Sequence, residues 1–454
     1  MMHSARMTHR TVLPAVPLLL LLAAAPASAQ RADAAGRPDT ATAIPTRLTL
    51  LDAIRLGRAR GVSESLAELN VQVVNARLRQ RRADLLPTIA GSADVSRRTL
   101  NFDEFGFPGI SGVTDPFTVI ALQLRGSQTL FDAAALARIR AGRDTASAAT
   151  LDARAIGDQA GAAAGLAYLR VLSAGETVRA READSAIASS LLDQARQLVN
   201  AGVSAAIDAT RSEVGFASVR TQLEVARNNR DRARLDLLRL LDAPADTPVE
   251  LVDSLVGGEV TIPTEAAEAV QFARTHRAEL SAEHARTRAA EQTLSAIGLE
   301  ALPSVGVSGY YQETGPTFSS LAGNYLIQLG INVPILDGFR RQARRSEQRV
   351  RVEAQRLRER DLGNSIETDA RQAILDLASA RQQVELAGTR VRLAEQELSQ
   401  ARERFKAGVT GSVETTNAQG SVISARDALI QAHVAYGTAR IATYRALGVL
   451  SELR

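Results

Sequence analysis

Residues 195–210 read ARQLVNAGVSAAIDAT and residues 401–416 read ARERFKAGVTGSVETT, so the same Ala-Gly-Val triplet stands in two stretches of otherwise helix-favouring residues. Glycine closes a helix C-terminus because it enters the left-handed region without a Cβ clash. Each triplet therefore marks the corner between two helices. Meeting that corner twice, at Gly202 and Gly408, points to a chain made of two copies of one unit.

Two other landmarks recur in the same order. Leu86-Pro87 matches Leu302-Pro303, and Leu130-Phe131-Asp132 matches Ile335-Leu336-Asp337. The separations are 216 residues at the proline, 205 at the aspartate and 206 at the corner, so nearly all the length difference lies between the first two landmarks. One copy carries a longer insert there.

Proline is absent between Pro116 and Pro244 and after Pro334, which permits long helices. The stretches from Asp132 to Gly202 and from Asp337 to Gly408 are rich in Ala, Arg, Glu, Gln and Leu and each predicts a helix of roughly 105 Å. The segments after the corners, about Ala205 to Leu241 and Ser412 to Leu450, and those before the prolines, Leu50 to Leu86 and about Glu265 to Leu302, predict helices near half that length. Two short helices end to end then match one long one. Leu377, Val384, Val391 and Leu398 are seven apart, and Leu66, Leu69, Val73 and Ala76 alternate by three and four. Both stripes are expected to be packing faces of coiled-coil-like helices.

Four short runs alternate with period two. Ile89, Ala93 and Val95 oppose Thr88, Ser92, Asp94 and Ser96; Ile120, Leu122 and Leu124 oppose Gln123, Arg125 and Ser127. In the second copy Val305, Val307 and Tyr311 oppose Ser304, Ser308 and Gln312, and Tyr325, Ile327, Leu329, Ile331 and Val333 oppose Gln328 and Asn332. Each suits a tilted membrane strand or a half-buried soluble one. Of 16 Phe and Tyr, ten lie in 102–131 or 310–339, as interfacial girdles require. Four strands cannot close a barrel, and open edges are not tolerated in lipid, so the chain is expected to oligomerise.

Composition sets the compartment. The first 29 residues carry Arg6 and Arg10, an apolar run from Val12 to Ala25 and the ending Ala27-Ser28-Ala29, the layout of a secretory signal peptide. Cysteine is absent, which excludes a disulfide framework, a thiolate metal site and a lipidated N-terminal cysteine. The pI is high because Lys406 is the only lysine and the rest of the cationic charge is arginine, yet the formal net charge is only +4. No basic run interleaved with aromatics supports nucleic-acid binding. No Gly-rich phosphate loop or His-Glu-x-x-His helix is present, no cofactor is implied, and His276 and His284 read as surface or packing residues.

The duplicated order of helix, Leu-Pro strand, strand, Leu-Phe-Asp, long helix, Ala-Gly-Val corner and return helix, after a signal peptide, resembles the TolC-like outer-membrane efflux protein family over essentially the whole mature chain. The expected fold is mainly α with a small β part: a long α-helical barrel in the periplasm joined to a trimeric 12-stranded transmembrane β-barrel, four strands per chain. The expected divisions are a signal peptide over 1–29, a flexible segment over 30–49, repeat one over 50–243, a mid-height linker over 244–264 and repeat two over 265–454. The resemblance implies a homotrimeric, passive exit duct in the outer membrane that works with a periplasmic adaptor and an inner-membrane pump. The other class of reading is a periplasmic coiled-coil scaffold that forms no channel.

The resemblance also implies roles for residues at the corners. Ala201, Gly202, Val203 and Ser204, with Ala407, Gly408, Val409 and Thr410, stand where family members meet adaptor hairpin tips. Glu414 resembles a lumen-facing acidic gate position, while Asn417 occupies the place of a second. Asp208 is retained from the family's closing network, and Phe405 and Thr410 stand where its tyrosine and arginine partners would. Cargo stays open among drugs, metal ions and polypeptides; five His and three Met give no hint of metal.

Overall fold

A computed structural model describes residues 45–453 apart from 106–108, 110, 256–261 and 264. The expected signal peptide and most of the expected flexible segment lie outside the described residues.

The chain runs β1 (Arg47–Leu48), α1 (Leu50–Arg60), α2 (Val62–Ala83), β2 (Thr88–Arg98), β3 (Phe117–Phe131), α3 (Ala133–Asn200) and α4 (Ala206–Leu240). It continues as β4 (Glu250–Leu251), α5 (Ala266–His276), α6 (Ala278–Leu299), β5 (Ser304–Gly315), β6 (Ala322–Asn332), α7 (Arg340–Lys406) and α8 (Ser412–Ala446). The duplication is visible in helix lengths: 11, 22, 68 and 35 residues in the first unit against 11, 22, 67 and 35 in the second.

Each long helix starts from a repeated aspartate. Asp132 is the N-cap of α3 and accepts from Ala135 N at 3.0 Å. Asp337 accepts from Arg341 N at 3.0 Å across Gly338 and Phe339, both left-handed. An acceptor there satisfies an amide that lacks a partner within the helix.

α3 packs along α4 toward the corners and along α1, α2 and α6 toward the sheet, while α7 packs on α8, α5 and α6. Two short helices do lie against one long one, but each expected single helix before the strands is broken. α1 passes to α2 at Gly61 (ψ 137°) and α5 to α6 at Arg277 (ψ 118°), both extended. These breaks are 216 residues apart, as the prolines are. Arg277 is buried and fixed there by Asp369 at 2.9 Å and Glu279 at 3.1 Å.

Before the start of α1, β1 and β4 form a short parallel pair, with Arg47 opposite Glu250. Leu48 is fully buried, and the buried Tyr168 hydroxyl lies 3.0 Å from both Leu48 O and Asp253 Oδ2. The end of the expected flexible segment and the start of the expected linker are thus paired to each other.

The heptad on α7 faces its partner helices. Leu377 packs with Ala380 and Ala439, and Leu398, with Val391 beside it, packs with Ala418, Val422 and Ala425. The stripe on α2 does not. Leu66, Leu69 and Val73 are exposed, and the inward side of α2 is Ala67, Val74 and Leu78, the last against Ile139 and Ala146. Alternation by three and four defines a stripe without choosing its neighbour. α2 ends the wall of helices: among the described residues α3 is its main cover beyond its own α1, so its second apolar side faces outward. α7 ends the wall on the other side and likewise exposes Val350 and Leu357.

The four longer strands form one antiparallel sheet in the order β2-β3-β5-β6. Opposed residues share a face, and the register sorts the faces by polarity. Val95 opposes Ile120, Ala93 opposes Leu122, Tyr311 opposes both Leu124 and Tyr325, and Val307 opposes Leu329. On the other face Ser127 opposes Thr88 and Ser308, Gln312 opposes Gln123 and Asn324, and Gln328 opposes Ser308. The two glutamines Gln123 and Gln312 are bonded at 3.3 Å. Exceptions include Phe117, Val119, Tyr310 and Leu326 on the polar face and Arg97, Gln128 and Glu313 on the apolar one; Glu313 lies near the loop end, where the Tyr311 hydroxyl donates to it at 2.9 Å. Among the described residues the outer strands β2 and β6 each have one neighbour, leaving two unpaired edges.

One irregularity separates the two units. α4 and α8 both end in a left-handed residue whose following N–H returns to the helix, with Ala243 N bonded to Leu238 O at 2.9 Å and Val449 N to Tyr444 O at 3.0 Å. The second unit uses Gly448 (φ 77°) and the first uses Asp242 (φ 52°). Asp242→Gly is expected to stabilise the folded chain by up to about 1 kcal/mol, read as a raised thermal midpoint; a fall would contradict the strain.

Candidate docking and gating site

Both long helices end the same way. Ala201 is still right-handed, Gly202 turns to φ 73°, and the N–H groups of Gly202 and Val203 return to Val199 O and Leu198 O, each at 3.0 Å. At the second corner Gly408 has φ 68°, and Gly408 and Val409 bond Phe405 O and Arg404 O, again at 3.0 Å. This pattern caps two carbonyls that the helix leaves open. Its cost is that the residue after the glycine points outward: Val203 and Val409 are 62 % and 69 % exposed. Ala201, Gly202, Ala407 and Gly408 are exposed as well, with Ser204 and Thr410 half-buried.

The two corners lie side by side. A carbon added at Gly408 would stand 3.5 Å from Val203 Cγ1. Eight residues drawn from positions 206 apart thus form one tip with two exposed valines at its surface.

Just behind the tip Asp208 joins the units. Its carboxylate accepts from Ser204 Oγ at 2.5 Å, from Ser412 Oγ, and from Ser412 N at 3.4 Å, with Arg211 at 4.0 Å. The residue before α8, Gly411, has no side chain to cap the helix, so an acid from α4 supplies that acceptor. The Ser204 and Ser412 hydrogen bonds, in that order, hold the Asp208 carboxyl below its usual range, against the opposing effect of burial.

The other expected gate residues are not drawn into this network. Glu414, the counterpart of Asp208 in the second unit, is half-buried and pairs with Arg404 at 3.5 Å. Thr410, the counterpart of Ser204, has a buried hydroxyl without a hydrogen-bond partner among the described residues. Phe405 is buried beneath the corner and Asn417 is exposed on α8. Ser412 and Arg404 are additions that the sequence reading does not single out. Ser412 carries a signal that could have found it, since a serine opening a helix after a glycine is a capping residue type.

Further from the tip a second junction ties α3 to α8 and α7. Asp184 is 1 % exposed and takes Arg181 Nη1 at 2.8 Å and Arg426 Nη1 at 3.0 Å. Arg181 continues to Asp427 and Arg426 to Glu395, the latter at 2.8 Å. Among the described residues no group of acidic and histidine side chains is arranged to hold a metal. His284 pairs with Glu359 at 3.0 Å, and His276 stacks on Phe272.

The family described as outer membrane efflux protein matches residues 64–243 and 269–449. Protein CyaE of Bordetella pertussis (strain Tohama I) is 26 % identical over 416 residues, spanning 89 % of this chain and 83 % of CyaE. Among solved structures, the CmeC outer membrane channel of Campylobacter jejuni superposes with a TM-score of 0.77 at 15 % identity, covering 88 % of this chain and 86 % of CmeC. The open state of the Neisseria gonorrhoeae MtrE outer membrane channel gives 0.72 at 19 % identity, covering 89 % and 90 %.

Proposed function

Because this chain belongs to the outer membrane efflux protein family, and so is an outer-membrane channel rather than an enzyme, we propose that three copies close a twelve-stranded barrel whose bore continues through the helices as a passive exit duct. The observation that carries this is the sheet: one face mainly apolar, the other mainly polar, and both edges unpaired among the described residues. In hydrocarbon such edges must be satisfied by another copy. Eight strands would fill their interior with side chains, whereas twelve leave a passage. The exposed seams of α2 and α7, at opposite ends of one wall, give neighbouring helices a place to meet. A coiled-coil scaffold would have no use for a sheet with an apolar outer face.

In this reading the helices lie in the periplasm and the tip of Ala201 to Ser204 with Ala407 to Thr410 receives a periplasmic adaptor, which links the duct to an inner-membrane pump that supplies the energy. The exposed valines offer apolar contact and the glycines allow close backbone approach. Val203→Cys and Val409→Cys leave the left-handed glycines intact, and each is expected to cross-link a co-expressed adaptor of the same export system. Export that continues with neither site cross-linking would overturn the docking assignment.

Asp208 is the closing tie at the mouth, and Glu414 with Asn417 line the approach to it, where acidic side chains favour cations. Asp208→Ala is expected to raise the conductance of the channel in a planar bilayer, and to cost about 1–3 kcal/mol by stranding the Ser412 donors. Because folding lowers the Asp208 pKa from 3.8, its contribution is fully present above that value and is lost as pH falls through the lower folded one. Conductance should therefore stay flat from neutral pH down to about pH 4 and rise below it. A rise centred near pH 6 would assign the gate to another group.

A further inference from the structure

The four helices that meet the sheet carry a charge the rest of the chain does not. Segments 72–84, 132–144, 288–300 and 337–351, the three helical turns nearest each strand with their junction residues, hold fourteen arginines and seven carboxylates. That excess of seven exceeds the net charge of +4 for the whole chain, so everything else is net negative. The loop at the opposite end of the sheet leans the other way: residues 99–116 contain Asp103, Glu104 and Asp115 and no cation, after Arg97 and Arg98 at the end of β2.

The segments stand side by side in the order of their strands. Arg81 Nη1 donates to Arg138 O at 3.2 Å, Arg138 and Arg344 share Glu300, and Gln348 Nε2 reaches Ala290 O at 3.1 Å. After these pairings, Arg77, Arg79, Arg82, Arg340, Arg345 and Arg349 remain exposed, with no carboxylate within 4.0 Å among the described residues. Between them and the strands lies an exposed apolar belt that includes Leu86, Ile335, Leu336 and Phe339, continued by Phe131 at the end of β3; Ile335 is 93 % exposed.

We propose that this arginine collar binds the phosphate groups of anionic phospholipids in the leaflet on the helical side of the membrane, and so fixes how deeply the barrel sits. The inference rests on the channel reading above, which puts the sheet in a bilayer. Two features favour a leaflet over a soluble anion. The cations form a ring-like band rather than a pocket, and the apolar belt at its edge places them at headgroup depth. Guanidinium groups match phosphate with two parallel N–H donors, and basic residues beside a membrane segment are drawn to anionic lipid.

The test uses the mature chain, purified in mild detergent and mixed with equal phosphatidylglycerol and phosphatidylcholine, with retained lipid read by native mass spectrometry. The unmodified protein should retain phosphatidylglycerol preferentially, and each arginine removed in Arg340→Gln/Arg345→Gln/Arg349→Gln should lower that preference about fivefold. If that variant fails to assemble, Arg77→Gln/Arg79→Gln/Arg82→Gln on α2 reads the same band. Equal retention of the two lipids by the unmodified protein, or an unchanged preference in an assembled variant, overturns the proposal. So does displacement of the phospholipid by millimolar inorganic phosphate, which would make the band a soluble-anion site. A variant whose ion selectivity shifts while its lipid preference holds would put the arginines in the bore, and that too overturns it. Single-channel conductance of the unmodified protein reports on the channel reading separately, since that reading can hold whichever lipid is retained.

Discussion

Asp184→Ala is expected to lower the stability of the folded chain by about 3 kcal/mol, read as a drop in the thermal midpoint of the detergent-solubilised protein. The reason is not that the native ion cluster is strongly favourable. Burial is the largest influence on Asp184 and pushes its pKa above the usual value of 3.8, with Arg181 and then Arg426 pulling it back. A carboxyl that binds its proton more tightly when folded loses stability as pH rises from the unfolded pKa through the folded one. At neutral pH the charged cluster therefore carries a desolvation cost that its pairing does not fully offset. What makes truncation expensive is the stranding of Arg181, whose side chain is 7 % exposed and would keep only Asp427. Replacing the set together, Arg181→Met/Asp184→Leu/Arg426→Met, should cost less than Asp184→Ala alone. A triple variant less stable than the single one would contradict this account.

Ile327→Arg should cost about 2–4 kcal/mol in assembled channel and Gln328→Arg less than about 1 kcal/mol, although the two residues are adjacent. Ile327 is the central residue of β6, opposite Gly309 on the apolar face, and is 73 % exposed in the single chain. Its neighbour opposes Ser308 on the polar face. If the apolar face meets hydrocarbon, a guanidinium at its mid-height has nowhere to find water, while one position along it faces the bore. Urea titration of the two variants in lipid vesicles measures the difference. Equal costs would mean that the sheet is not sided by a membrane, and the barrel reading would fall with it.

Much of this architecture is legible in the residues because it rests on local chemistry. A glycine that must be left-handed, an aspartate that caps a helix and a period-two alternation each declare themselves within a few positions, and the duplication repeats every statement. Other features need the third dimension. The break at Gly61 carries a glycine as its sign, but the break at Arg277 is held by Asp369, 92 residues away. The stripe of Leu66, Leu69 and Val73 is visible as a stripe, yet whether it faces its own chain depends on α2 ending the wall. At the corners the repeated Ala-Gly-Val triplet is enough to mark where each long helix ends. That Asp208 would be satisfied by Ser412, from the other unit, could not be read there, because the contact spans 204 residues and depends on the corners coming together.

The tip also breaks the likeness between the units. Asp208 and Ser204 are bonded to each other, whereas their counterparts Glu414 and Thr410 are engaged elsewhere or left without a partner. A trimer of such chains has six corners but only threefold sameness, with two alternating kinds of seat. A hexameric ring capping such a trimer would either alternate its own subunits in conformation or hold three of them more tightly than the other three, and in the second case its titration would saturate in two steps of three.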